Sequence, residues 1–231
     1  MIVLGIESAS ETASCALLSE EKLLGEYSQN IGKTHSENLM ALIDTLIIDT
    51  EISLKDLSGI AITKGPGSYT GLRIGIAIAK SMSQSLKLPI LSISTLESLA
   101  YNLPLTDKII SSVLDARSNR IYTGLYKWEG EKLFNIEEDS ATTIEEHLDN
   151  LYNKNFEKDI IFIGDGVKKH KDLIKSRLGD KCFFASNYIN HLKSSSTAQA
   201  GIEKLKNNDF LTWENFNPIY LRKTQAERNK K

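Results

Sequence analysis

Gly65-Pro66-Gly67-Ser68-Tyr69-Thr70-Gly71-Leu72-Arg73 separates two patterns of different period. Before it runs Ile60-Ala61-Ile62-Thr63, a short apolar stretch that reads as a buried strand. After it, Leu72, Ile74, Ile76, Ala77, Ile78 and Ala79 belong to a helix-length segment that ends near Leu86. The quoted stretch is therefore a strand–turn–helix corner, in which Gly65, Gly67 and Gly71 allow backbone angles and close approaches closed to other residues. Ser68 or Thr70 is placed to cap the helix, whose free N–H groups form a potential anion site. No Gly-Lys-Ser/Thr follows, so the corner lacks the lysine and hydroxyl that a P-loop sets on phosphate and magnesium, and it is not GxGxxG either.

The helix after the corner carries apolar side chains on nearly every side of its first half. Such a helix must be covered all round. Its own sheet takes one face, and another layer or another protein takes the second. Upstream, residues 2–8, 12–18 and 23–29 read as three strands of an antiparallel meander, with Ser19-Glu20-Glu21-Lys22 turning between the last two. The period then changes: His35, Leu39, Leu42, Ile43, Leu46 and Ile47 form a helical stripe over 34–49, with Thr34 as N-cap and Glu37 three residues on. A short helical connector at 53–57 and a strand at 59–64 lead to the corner. Beyond it come a strand at 89–93 and a capping-box helix start at Ser94-Thr95-Leu96-Glu97.

The element order so far is βββαβαβα, and it recurs. Strands at 109–114, 120–128 and 131–137 precede a helix at 143–151, a strand at 160–163, a helix at 167–178, a strand at 182–185 and a helix at 196–206. This repetition predicts an α/β protein of two actin-like lobes, each a ribonuclease-H-like βββαβαβα unit on a mixed five-stranded sheet, as in actin, Hsp70 and the sugar kinases. The lobes are expected at 1–102 and 103–231.

Of 231 residues, 41% are hydrophobic and 25% charged, and the formal net charge is −2, which argues against a protein that grips nucleic acid over its whole surface. Basic residues gather at the end, where Arg222, Lys223, Arg228, Lys230 and Lys231 face only Glu227; this is a solvated tail or one that touches RNA or an acidic partner. Cys15 and Cys182 lie in apolar strand-like runs without a CxxC partner, as expected of buried thiols in a reducing compartment. No signal-peptide h-region and no run of membrane-spanning length is present, so a cytoplasmic protein is expected. His35, His147, His170 and His191 are scattered without HxxxH or HExxH, and no metal site is expected. Gly67-Ser68-Tyr69-Thr70-Gly71 is not GxSxG. Glu7, Asp115 and Asp165, the last between Gly164 and Gly166, fall at strand ends, where a carboxylate either holds hydrated magnesium near a nucleotide or caps the turn that follows.

The run from Lys64 to Gly75, with Lys33-Thr34-His35-Ser36-Glu37-Asn38-Leu39, Ser94 to Leu99, Asp115-Ala116-Arg117 and Pro218 to Arg222, resembles the bacterial TsaB (YeaZ) proteins. The resemblance implies the actin-like two-lobed fold. It also implies a noncatalytic paralogue of TsaD, acting with TsaD and the ATPase TsaE in threonylcarbamoyl modification of adenosine 37 in tRNAs that read ANN codons. In that family the helices after residues 33 and 70 form the dimer face, as a homodimer or with TsaD. His35, Leu39, Leu42, Ile43, Leu46, Leu72, Arg73, Ile76 and Lys80 are accordingly the expected interface residues. TsaD-type proteins hold metal through a histidine pair on the helix matching 34–49, where this sequence offers only His35, so no metal and no transferase activity of its own are implied. No cofactor is required by this chain; ATP or ADP is expected at an interface with TsaD and TsaE, and tRNA is met through the complex. Glu7-Ser8-Ala9 stands where relatives commonly show Asp-Thr-Ser, and Ser118-Asn119-Arg120 replaces a Glu-containing stretch. The rival readings are a freestanding actin-like ATPase or kinase using Glu7, Asp115 and the Gly164–Gly166 turn, and a metalloprotease.

Overall fold

The structure is a computed structural model that describes residues 1–29, 35–156 and 158–222, the side chains of 35–38 excepted. In chain order the first round of elements is β1 (Ile2–Glu7), β2 (Ala13–Ser19), β3 (Leu23–Gln29), α1 (His35–Thr50), β4 (Gly59–Thr63), α2 (Tyr69–Leu86), β5 (Ile90–Ile93) and α3 (Thr95–Ala100). The second is β6 (Ile109–Asp115), β7 (Ile121–Glu129), β8 (Lys132–Thr142), α4 (Ile144–Lys154), β9 (Ile160–Ile163), α5 (Asp165–Leu178), β10 (Cys182–Phe184) and α6 (Ser194–Lys206). Two five-stranded sheets result, ordered β3-β2-β1-β4-β5 and β8-β7-β6-β9-β10. In each, the first three strands pair antiparallel and the last two join in parallel. The same strand order twice is the duplicated, mixed-sheet architecture expected from the element order.

In the first sheet, strand alternation sorts side chains onto two covered faces. The register sets Gly5 beside Ala16 and Ala61, so small residues line one face at the centre of the sheet. There α6 lies so close that a β-carbon on Gly5 would stand 2.2 Å from the Ser194 carbonyl oxygen. Ser14 and Ser194 share a buried hydrogen bond of 2.7 Å, and the Glu26 carboxylate accepts from Ser195 N at 2.8 Å and Ser195 Oγ at 3.0 Å. Glu26 thus supplies, from β3, the acceptor that the N-terminus of α6 lacks in its own sequence. The other face carries larger side chains: Leu46 of α1 packs over β3 at Gly25, and Ile62 of β4 lies against α2 at Gly75. The capping box expected at α3 is present, with Ser94 N donating to Glu97 Oε2 and Glu97 N to Ser94 Oγ, each at 3.4 Å.

The second sheet packs Val113, Ile121, Leu125 and Phe162 against Ile144, Leu148 and Leu151 of α4 and Val167 and Ile174 of α5. Thr143 caps α4 in a reciprocal box with Glu146. His147 is buried in this core, its Nε2 within 2.9 Å of Ser111 Oγ and 3.3 Å of Thr123 Oγ1.

The chain divides differently from the boundary read in the sequence. One compact unit is Met1–Ser98 together with the segment from Leu192 onward, and the other is Leu99–His191. The last helix belongs by sequence order to the second round, but it packs on β1, β2 and β4 of the first sheet, so residues from 192 leave the lobe expected at 103–231. The physical reason is the flat strip at Gly5, Ala16 and Ala61, which only a closely approaching helix can cover.

Candidate functional site

The corner at Gly65 is built as a turn held from two sides. Gly65 has φ +113, and a β-carbon there would stand 2.5 Å from the Ile219 carbonyl oxygen. The segment at 217–222 lies along the corner as a strap, with Ile219 N donating to Lys64 O at 2.8 Å. On the other side Ser68 N donates to Ala9 O at 2.7 Å, and Gly67 lies against the same carbonyl. Of the two cap candidates Ser68 is the N-cap, accepting from Gly71 N at 3.3 Å, and Thr70 is already in the first turn of α2. At the head of α2 the Arg73 guanidinium sits 4.0 Å above the centre of the Tyr69 ring and its Nε donates to Tyr220 Oη at 3.1 Å. The Tyr69 and Tyr220 rings are 4.9 Å apart, centre to centre.

Between α1 and α2 a groove of about 690 Å³ opens on the surface. Met40, Ile47 and Ile48 line it from α1, and Ala77, Ile78, Met82 and Leu86 from α2, with Asp44 on its wall. Ile48 is 72% exposed and Met40 42%, unusual for two large apolar side chains about two turns apart on one helix. The expected interface residues are placed differently. Leu39, Leu42, Ile43, Leu46, Leu72 and Ile76 are buried in the first unit's own core, with Leu39, Leu46 and Leu72 wholly enclosed. Of this set only Ile43 also lines the groove, while Arg73 is exposed and Lys80 half-buried on α2. Two apolar stripes compete on each helix, and the residues read as the partner face are those that pack on the sheet. The groove stripe was nevertheless readable: Ile78, Met82 and Leu86 recur every fourth residue, and Ile48 adds an apolar side chain outside the core-facing stripe of α1. The side chains of His35 and Glu37, the Lys33-Thr34 cap and the basic tail from Lys223 onward lie outside the described residues.

Glu7 and Asp115 serve their own turns, and Asp165 reaches across to the turn of Asp115. Glu7 is fully buried; its Oε1 accepts from Ala9 N at 2.6 Å and Thr63 Oγ1 at 3.2 Å, and its Oε2 has no hydrogen-bond partner. Burial pushes its carboxyl up to about 7. Glu7 is therefore no open strand-end carboxylate, because the side chain turns into the β1–β2 turn and not into solvent. In the second unit Asp115 Oδ1 accepts from Arg117 N at 2.9 Å, and Asp165 Oδ1 accepts from Asp115 N at 2.9 Å. Gly164 N donates to Asn190 Oδ1 at 2.6 Å. Arg117, Ser118 and Asn119 all take positive φ (59, 52 and 57), a left-handed turn between β6 and β7. Among the described residues no group of three or more His, Cys, Asp or Glu is arranged to hold a metal ion. Cys15 is buried, its thiol raised to about 12 by burial, whereas Cys182 is only half-buried.

Comparison with known proteins identifies this arrangement. The tRNA threonylcarbamoyladenosine biosynthesis protein TsaB of Bacillus subtilis (strain 168) is 35% identical over 98% of this chain and 96% of its own length. The chain belongs to the TsaB family. The family profile described as TsaD, tRNA N6-adenosine threonylcarbamoyltransferase, matches residues 22–230. A tRNA N6-adenosine threonylcarbamoyltransferase of Syntrophus aciditrophicus (strain SB) is 32% identical, over 47% of this chain and 37% of its own. The crystal structure of YeaZ from Pseudomonas aeruginosa superposes with a TM-score of 0.80 at 19% identity, covering 95% of this chain and 99% of that one. The TsaB fold is thus present along the chain, and no described helix is long and apolar enough to cross a membrane.

Proposed function

We propose that this TsaB-family chain is a noncatalytic docking subunit of a cytoplasmic tRNA-modifying assembly. Its α1–α2 groove receives the paralogous TsaD-type transferase, which carries out threonylcarbamoyl transfer to adenosine 37 of ANN-decoding tRNAs; a TsaE-type ATPase joins the complex. A homodimer through the same groove is the state adopted without the transferase. This reading gives the chain no cofactor of its own and assigns ATP or ADP to an interface with the TsaD- and TsaE-type subunits, with tRNA reached through the complex. The observation that carries it is the apolar groove, walled by exposed Met40 and Ile48. A rival actin-like ATPase would need Glu7 as an accessible carboxylate, and Glu7 is enclosed.

The test uses groove residues that the core does not need. Ile78→Glu and Met82→Glu are expected to leave the fold intact and to weaken binding to a TsaD-type subunit by at least about tenfold, since burying such a side chain contributes roughly 1.5–3 kcal/mol. Calorimetric titration measures this. Wild-type affinity in both folded variants would remove the groove from the interface.

A further inference from the structure

We propose that the carboxyl-terminal strap completes the docking surface: Tyr220 fixes Arg73 as a preorganised cationic anchor at the head of α2, matched to a carboxylate on an acidic helix of the TsaD-type partner. The proposal rests on the docking reading above and adds a charge requirement that the apolar groove does not supply.

The outward stripe of α2 runs through Tyr69, Arg73, Ala77, Ser81 and Ser85, all exposed and spaced by four residues. The groove uses this stripe only from Ala77 onward. At about 1.5 Å per residue the whole stripe spans about 24 Å, of which the first third is the head of the helix. That head is occupied by a built arrangement. Gly65 leaves room for the Ile219 carbonyl, and Ile219 N bonds Lys64 O, which sets the strap's course. Tyr220 then meets Tyr69 ring to ring and takes the Arg73 Nε hydrogen bond. Arg73 is held on its flat face by Tyr69 and at Nε by Tyr220. Its two terminal nitrogens are thereby presented in one orientation, the fork that pairs with a carboxylate. Holding the side chain before the partner arrives removes most of the ordering cost of binding. Tyrosine and arginine in one cluster are also the composition of interface hot spots.

Charge selects the occupant. From Tyr69 to Leu86 the helix carries Arg73 and Lys80 and no aspartate or glutamate. A second copy laid α2 against α2 would set these cations against their own kind, so self-association through the groove has to turn its α1, which carries Asp44 and Asp49, toward this α2. An acidic helix on a different subunit meets the stripe without that repulsion. Tyr220 is a positioning residue here, and Arg73 makes the contact.

The test titrates the full-length chain with a TsaD-type subunit at low and high salt, using Arg73→Gln, Arg73→Lys, Tyr220→Phe and Tyr220→Ala, with Ile78→Glu as the groove control. Arg73→Gln is expected to weaken binding by about 30-fold and to flatten its salt dependence. Arg73→Lys should recover only part, because lysine lacks the fork. Tyr220→Phe keeps the ring and loses the bond to Nε; a loss of about fivefold with unchanged thermal unfolding is expected. Should Tyr220→Ala fail to fold, Tyr220→Phe carries the comparison. Wild-type affinity and salt slope in the Arg73 and Tyr220 variants, with binding lost in Ile78→Glu, overturn the anchor and leave the groove standing. Wild-type affinity in Ile78→Glu as well overturns the docking reading itself. Variants that bind the TsaD-type subunit normally but lose self-association, or lose only tRNA affinity, overturn the choice of occupant.

Discussion

Glu7 lies at the end of β1 with its carboxyl wholly enclosed, and His147 is almost as deep in the second unit. Burial acts on them in opposite directions, since it disfavours whichever form is charged. An unfolded glutamate gives up its proton near 4.5, whereas folded Glu7 keeps it to about 7. Between those values the folded chain holds the extra proton, so this group's contribution to stability falls as pH rises and levels off above 7. For His147, lowered from 6.5 to about 4 by burial, the unfolded chain takes the proton first, and stability falls as pH drops through that window. Replacing Glu7 with Gln removes the first effect alone. Relative to wild type, Glu7→Gln should gain up to about 3 kcal/mol in urea unfolding at pH 8 compared with pH 4.5. A difference between the two proteins that is the same at both pH values would contradict this. The sequence shows a carboxylate at a strand end but not its direction: the inward turn depends on Thr63 of β4, 56 residues away.

At the scale of elements, α1 and α2 show what hydrophobic period can and cannot tell. Period located both helices, and the excess of apolar side chains pointed to a second apolar face, which the structure shows as the open groove. It did not say which stripe is the core. Leu39 and Met40 are neighbours in sequence, yet Leu39 is enclosed and Met40 lies open in the groove. Leu39→Ala is therefore expected to cost about 2–5 kcal/mol of stability, while Met40→Ala stays within about 0.5 kcal/mol, as chemical unfolding of the isolated chain would show. Equal losses at both positions would mean that Met40 is part of the core. The strap was the element least visible in advance. Pro218 to Arg222 has no period, and its attachment includes a backbone hydrogen bond, the Arg73–Tyr220 hydrogen bond and a tyrosine pair, all made with residues about 150 positions earlier.

On the scale of the whole molecule, the repeated βββαβαβα order was legible because each element is a local pattern, and both sheets follow it. The ownership of α6 was not, because a helix carries no mark of the sheet it will cover. Gly5, Ala16 and Ala61 hold that information, and they become a strip only when three strands are paired. Ending the chain at residue 191 should therefore strip one face of the first sheet. Amide exchange in β1, β2 and β4 is expected to become fast while β6, β7 and β9 stay protected. Native-like protection of β1 in the shortened chain would show that α6 is dispensable. The return of α6 also has a consequence for biosynthesis. A ribosome releases the chain from its amino terminus, so Val3, Leu4 and Ile6 of β1 emerge well before α6, the helix that seals their sheet. The second unit is contiguous and can close while synthesis continues. The unit that bears the docking groove is thus begun before the second unit and finished after it, so a partner can meet that groove in its final form only once α6 has been made.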